Sequence, residues 1–150
     1  MSVRESVWDY PRPPAVERSG QLIRVVFARK TIASSTASVR VLETSHPPTY
    51  YIPPGDVDLE ALSPNSRSTI CEYKGVARYY DIEVAGRTSE AAAWFYPRPA
   101  RGYDELAGHV AFYAGKVDEC WVDDELVIPQ PGDFYGGWIT SNVAGPFKGS

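Results

Sequence analysis

Prolines and glycines limit what this chain can fold into more than any other feature. The 150 residues include 13 prolines and 12 glycines, which interrupt the sequence too often for long helices. Between them lie short runs rich in β-branched and aromatic residues, such as residues 22–27 and 49–52. Such runs are typical of strands. We therefore predict a mainly β fold of short antiparallel strands, in one compact domain covering residues 1–150.

Alternating apolar and polar positions predict where the strands lie. We expect strands at residues 22–27, 31–33, 39–42, 49–52, 68–73 and 76–84, and a loop at 63–66. Residues 110–113 and 117–122 are expected to form a hairpin across 114–116. A tail, residues 129–150, is expected to wrap the surface, with Phe134, Trp138, Ile139 and Phe147 as anchors.

The sequence contains one internal repeat. Residues 7–13 (VWDYPRP) recur at 93–99 (AWFYPRP), and at nearly the same offset residues 25–27 correspond to 110–112. The repeat favours two similar β-units with approximate two-fold symmetry, connected by a central segment at residues 71–80. Chance similarity in a chain rich in proline and aromatic residues is the alternative.

Charge and composition exclude several classes of partner. The net charge is −4 and the pI is near 5.2, so the chain has no general electrostatic attraction for nucleic acid, and we expect no nucleic-acid partner. No apolar run approaches membrane-spanning length and no secretory signal is visible, so we expect a cytoplasmic protein without a membrane partner. The sequence does not determine the oligomeric state.

The central segment brings together chemically reactive groups. A hairpin turn at Lys74-Gly75 would place Cys71 opposite Arg78, and a neighbouring cation favours the thiolate form that a nucleophilic cysteine needs. His46, held on a rigid Ser-His-Pro-Pro corner, is a candidate base for the thiol. The alternatives are a small buried Cys71 and a hydrogen-bonded structural His46.

Aromatic side chains predict a binding surface near the same segment. We expect a concave pocket in which Tyr50, Tyr51, Tyr80 and Trp94 form the lining and His46, Lys74 and Arg78 orient a small polar or anionic ligand. Burial of these rings in the core is the alternative. The sequence has no cofactor-binding motif, no CxxC pair and no metal-spaced histidine pair, so we expect neither cofactor nor metal.

Several motifs together resemble the domain of unknown function 427 family. They are Trp8-x-Tyr10-Pro11, Glu43-Thr44-Ser45-His46-Pro47-Pro48-x-Tyr50-Tyr51, Cys71-x-x-Lys74-Gly75-x-Ala77-x-Tyr79-Tyr80, Trp94-x-Tyr96-Pro97 and Gly108-His109-Val110-Ala111-Phe112-Tyr113. The resemblance covers residues 5–128. This mostly bacterial family is sometimes labelled nucleotidyltransferase-like, although the catalytic acid pattern of nucleotidyltransferases is missing here.

The resemblance implies a fold and a set of site residues. The fold is that of the Mss4-like β-tent proteins, many of which bind zinc through paired CxxC motifs. Those motifs are absent here, so we expect a metal-free member. The positions singled out by the family pattern are His46, Tyr50, Cys71, Lys74, Tyr80 and Trp94.

Three hypotheses of function remain open at this point. The first is a binding module for a small polar or anionic ligand in the aromatic pocket. The second is an enzyme with Cys71 as nucleophile or redox thiol and His46 as base. The third is a structural or interaction protein whose aromatic–proline arms only support the fold.

Overall fold

The chain folds into mainly antiparallel β-structure, which confirms the predicted fold class. The computed structural model describes residues 4–131 and 135–148. Its strands are β1 (Glu5–Ser6), β2 (Ala15–Arg18), β3 (Ile23–Phe27), β4 (Lys30–Ser35), β5 (Val39–Leu42), β6 (Thr49–Tyr51), β7 (Leu62–Cys71), β8 (Gly75–Val84), β9 (Arg87–Phe95), β10 (Val110–Phe112), β11 (Glu119–Val122), β12 (Glu125–Leu126), β13 (Ile128–Pro129), β14 (Trp138–Ile139) and β15 (Val143–Ala144). The helical segments of the described residues are short 3-10 turns at Val7–Asp9, Pro54–Asp56, Leu59–Ala61, Asp104–Leu106 and Ala114–Lys116.

Two larger sheets and a smaller one carry the fold. One four-stranded sheet has the order β10-β9-β8-β7, the other has the order β12-β11-β3-β4, and a three-stranded sheet has the order β2-β5-β6. Ile52, just after β6, exchanges two backbone hydrogen bonds of 2.8 Å with Val110 of β10. This bridge connects the three-stranded sheet to the first four-stranded sheet, and we call the combined seven strands the joined sheet.

The two faces of the joined sheet bury different sets of side chains. Tyr50 and Ile52 point into the main core, which lies against the sheet containing β3 and β11. Tyr51 lies between them in sequence and points to the opposite face, where it packs with Trp94 in a second cluster. This alternation follows from the two-residue period of a strand. The second face is the one that carries the cavity described below.

Two of the predicted local elements are wrong, because strand pairing between residues distant in the sequence determines the structure of these segments. Residues 110–122 do not form a hairpin: β10 pairs with β9, whereas β11 pairs with β3 in the other sheet. The 3-10 turn at Ala114–Lys116 carries the chain between the two sheets. Residues 63–66 are not a loop but part of β7, where a bulge after Asn65 and a position at the sheet edge make room for Pro64.

The two aromatic–proline arms have different structures, and the two-fold relation between two similar β-units stays a prediction. In the first arm Trp8 lies on a 3-10 turn and is 54% exposed. In the second arm Trp94 lies within β9, paired with Tyr79 on one side and Ala111 on the other, and is 7% exposed. The two equivalent tryptophans of the repeat therefore lie in different structural environments. The Mss4-like β-tent grouping stays a prediction.

The tail packs back onto the sheets. The Trp138 side chain is fully buried in the main core, and its indole N–H donates to the Phe112 carbonyl at 2.9 Å. Phe147 packs against a small third cluster that contains Val7 and Val143. Ile139 is half-buried, and Phe134 lies outside the described residues.

One carboxylate stabilises the irregular part of the joined sheet. The pairings of β7 with β8 and of β8 with β9 both shift register near Asp81. Asp81 Oδ1 accepts from Asn65 Nδ2 and from the backbone N–H of Ala91, each at 2.8 Å. Ala91 has a φ of +49°, which is unfavourable for a residue with a Cβ. The hydrogen bond from its N–H helps to hold this conformation.

Asp81→Ala should therefore destabilise the fold by about 1–3 kcal/mol, because it leaves two donors without an acceptor. Urea denaturation monitored by circular dichroism measures the change. The matched control is Glu83→Ala, an exposed carboxylate on the same strand, which should change the midpoint little. Equal midpoints for the two variants would show that Asp81 does not hold the bulges.

Candidate functional site

A cavity of about 260 Å³ lies on the second face of the joined sheet. Strands β5 to β9 form its walls and the tail closes one side. The lining residues are Val41, Glu43, His46, Pro47, Thr49, Tyr51, Thr69, Ile70, Cys71, Lys74, Ala77, Tyr79, Trp94, Tyr96, Tyr113, Gln130, Tyr135, Gly136, Gly137 and Lys148. Five of the eight predicted site residues are among them: His46, Tyr51, Cys71, Lys74 and Trp94.

The remaining three predicted residues lie elsewhere. Arg78 is exposed, on the face of β8 that does not carry the cavity. Tyr50 is buried in the main core with its ring 5.2 Å from that of Trp138. Tyr80 stacks on Phe95 at 4.6 Å between ring centroids and packs against the main core.

The position of Arg78 follows from the register of the β7–β8 hairpin. Cys71 pairs with Gly75, and Ser68 rather than Cys71 pairs with Arg78. The turn therefore contains three residues, 72–74, and not the predicted Lys74-Gly75 pair. A shift of this kind changes which side chains share a face. Gly75 itself has a φ of +108° and lies against the backbone of Ala100, which donates its N–H to the Lys74 carbonyl at 2.7 Å.

Lys74 is a buried cation in this cavity. Its side chain is 8% exposed, with Nζ 6.0 Å from the centre of the Tyr96 ring. Burial by itself lowers the pKa of the ammonium, but Tyr51, Cys71 and Glu43 outweigh it, and the pKa is raised overall. Lys74 is therefore charged at neutral pH. Within residues 4–131 and 135–148, no carboxylate forms an ion pair with it.

Aromatic hydroxyl groups form a hydrogen-bonded wall. The Trp94 indole N–H donates to the Tyr51 hydroxyl at 3.1 Å, and the Tyr79 hydroxyl lies 3.0 Å from Thr69 Oγ1. The rings of Trp94 and Tyr113 are 4.5 Å apart. Burial raises the pKa of Tyr51 and of Tyr113, so these two hydroxyls stay protonated at neutral pH.

Gln130 determines the tautomer of His46. The Gln130 Oε1 accepts from the Gly137 N–H at 3.0 Å and its Nε2 donates to the Lys148 carbonyl at 2.8 Å, which orients the amide. The same Nε2 lies 3.2 Å from His46 Nδ1 and must donate to it. His46 Nδ1 is therefore an acceptor, and the proton of the neutral ring sits on Nε2.

The surroundings of His46 favour this neutral ring. Burial lowers its pKa, and the cations Lys148, Lys74 and Arg12 lower it further, against an opposing effect of Glu43. His46 and Cys71 line the same cavity, but in the described part of the chain no hydrogen bond joins them. The role of His46 as a base for Cys71 stays a prediction.

The tail contributes residues that the sequence reasoning missed. A Cβ on Gly136 would overlap the Trp94 ring, and one on Gly137 would lie 2.5 Å from Pro47 Cγ and 2.7 Å from the Pro47 carbonyl oxygen. Only glycine allows the tail to approach the cavity this closely. The adjacent Gly-Gly pair before a buried tryptophan was the available signal. Tyr135 and Lys148, whose Nζ lies 5.4 Å from the Tyr135 ring, complete this side.

Comparison with known proteins shows the family. A family model described as Domain of unknown function (DUF427) matches residues 15–123. The chain belongs to this family. The DUF427 match includes His46, Cys71, Lys74 and Trp94 but excludes the first aromatic–proline arm and the whole tail. None of the curated proteins matches the chain.

The described residues also contain neither a metal cluster nor a helix of membrane-spanning length. In residues 4–131 and 135–148, no group of three or more His, Cys, Asp or Glu side chains is arranged to hold a metal ion. The helical segments in this part of the chain are all too short to cross a membrane.

The two cysteines should differ in reactivity. Cys71 is half-buried on the cavity wall, whereas Cys120 is 2% exposed, and burial raises its pKa far above the usual range. Iodoacetamide at pH 7.5 should therefore add one adduct to the native protein, at Cys71, and two after unfolding in urea. Peptide mass spectrometry locates the adducts. Modification of native Cys120 before Cys71 would contradict the cavity wall as described.

The buried neutral His46 should make stability depend on pH. The unfolded chain binds a proton at His46 below about pH 6.5, whereas the folded chain binds it only at lower pH. The free energy of unfolding should therefore fall as the pH is lowered from 7 to 5. His46→Asn keeps an acceptor for Gln130 and should flatten this slope. The His109→Asn control, at the other histidine of the chain, should keep the wild-type slope.

Proposed function

We propose that this chain binds a small anionic ligand in the cavity, with the Lys74 ammonium as the partner of the negative charge. The observation that carries the proposal is the burial of this ammonium without an ion-pair partner in the described residues. Removing a charge from water without pairing it costs several kcal/mol. An anion bound in the cavity would offset that cost.

The other cavity residues fit the same role. Trp94 and Tyr51 offer ring surfaces for the apolar part of a ligand. His46 has a proton on Nε2 and is therefore a neutral donor. Of the residues predicted to bind the ligand, Arg78, Tyr50 and Tyr80 lie off the cavity and take no part in the proposal.

A second candidate function is a reaction at Cys71. The observation that favours it is that the Cys71 thiol and the Lys74 ammonium line the same cavity, where Cys71 helps to raise the pKa of Lys74. The cation on the same cavity wall as the Cys71 thiol is Lys74, and not the predicted Arg78. Cys71→Ser separates the two candidates, because a binding site should keep its ligand in this variant, whereas a nucleophilic or redox thiol should lose all turnover.

Lys74→Met tests the binding proposal. Without ligand the variant should be as stable as the wild type or more stable, because a buried unpaired charge is replaced by an apolar chain of similar length. Its affinity for anions should fall about 10–100-fold, which corresponds to about 1.5–3 kcal/mol for a hydrogen bond to a charged group. Thermal shift with acetate, benzoate, inorganic phosphate and AMP at constant ionic strength measures both effects.

Arg78→Met is the matched control for this experiment. It removes one positive charge from the same hairpin but from a residue that does not line the cavity. It should leave anion binding unchanged. If Lys74→Met and Arg78→Met respond equally to every anion, the cavity is not an anion site.

A further inference from the structure

We propose that the cavity selects a planar monoanion with a single ring, of the aromatic carboxylate class, over nucleotides and other multiply charged phosphates. This inference rests on the proposed function, because it names the class of anion that Lys74 would bind. Size, charge and the nature of the wall lead to it independently.

The size of the cavity limits the ligand to about one ring. Its volume is about 260 Å³. This lies just below the range usual for drug-sized ligands. Gly136 and Gly137 lie directly against Trp94 and Pro47, so the cavity cannot lengthen beneath the tail. A base, a sugar and a chain of phosphates together would not be enclosed.

The charges on the wall suit a single negative charge. Two ammonium groups, Lys74 and Lys148, and one carboxylate, Glu43, line the cavity. With His46 neutral, the lining has a net charge of +1. In the part of the chain that the structure describes, no arginine is among the lining residues. Multiply charged phosphates are usually bound by several cations, arginine forks or a row of backbone N–H groups, and Glu43 would repel them.

The apolar part of the wall is mostly aromatic. Six rings line the cavity: Tyr51, Tyr79, Trp94, Tyr96, Tyr113 and Tyr135. Tyr51 and Trp94 stand edge to face with an interplanar angle of 88°, so the wall presents both ring edges and ring faces. Aromatic partners prefer such offset or edge-to-face arrangements. A planar ring therefore gains more from this wall than a saturated ring of the same size.

Trp94 supplies a direct reporter for the test. The chain has four tryptophans, and Trp94 is the one that lines the cavity, with its indole N–H bonded to Tyr51. In the ¹⁵N-labelled protein, its indole cross-peak, assigned with Trp94→Phe, should move on binding. The cross-peaks of Trp8, Trp121 and Trp138 should stay in place. Titration of this cross-peak gives Kd for each probe.

The probes vary one property at a time at constant ionic strength. Benzoate is compared with benzamide, which lacks the charge, with cyclohexanecarboxylate, which lacks the planar ring, and with AMP and ATP. We expect Kd for benzoate to be at least about tenfold lower than for each of the others. Lys74→Met should remove the preference for benzoate over benzamide, and Arg78→Met should keep it.

The possible failures are distinguishable. If AMP or ATP moves the Trp94 cross-peak at lower concentration than benzoate and depends on Lys74, the monoanion class is wrong and the proposed anion site stands. If cyclohexanecarboxylate binds as well as benzoate, selection for a planar ring is wrong. If benzoate and benzamide bind equally and the binding of AMP and ATP does not depend on Lys74, or if no probe binds, Lys74 does not select an anion and the proposed function fails as well.

Discussion

The pair of backbone hydrogen bonds between Ile52 and Val110 is the constraint on which the rest of the site depends. It attaches a three-stranded sheet to a four-stranded one, so that Tyr51 from the first stands beside Trp94 from the second. Ile52 and Val110 are themselves fully buried, so this bridge between the sheets is shielded from water. The cavity is therefore a property of the junction between sheets and not of any single hairpin.

Much of the strand content was predictable, but the pairing was not. The run at β3 alternates clearly because this strand buries one face, and this information is local. Partners such as Cys120 for Val25 are distant in sequence, and no local pattern encodes them. The internal repeat shows the same limit: Trp8 and Trp94 share their neighbours in sequence but not their partners in space.

Some residues of the cavity could be predicted from the sequence, and others could not. Cys71, Lys74 and His46 do line one cavity, yet Cys71 does not pair with Arg78, because the turn spans residues 72–74 and not the predicted Lys74-Gly75 pair. Tyr50 and Tyr51 are adjacent residues of the same type. Tyr51 lines the cavity and Tyr50 does not, because their side chains lie on opposite faces of the joined sheet. The tail residues were missed because Gly-Gly suggests a loop and does not indicate contact with a ring.

The tail is part of the folded domain, although it lies beyond the residues that match the family. The family match stops at residue 123, but Trp138 fills the main core beyond it. Loss of a buried tryptophan typically costs about 3–5 kcal/mol, a large part of the stability of a small domain. A fragment trimmed to the matched residues would therefore lack both a core side chain and one wall of the cavity. Family members with the same matched region and different tails would share the sheets but have cavities of different shape.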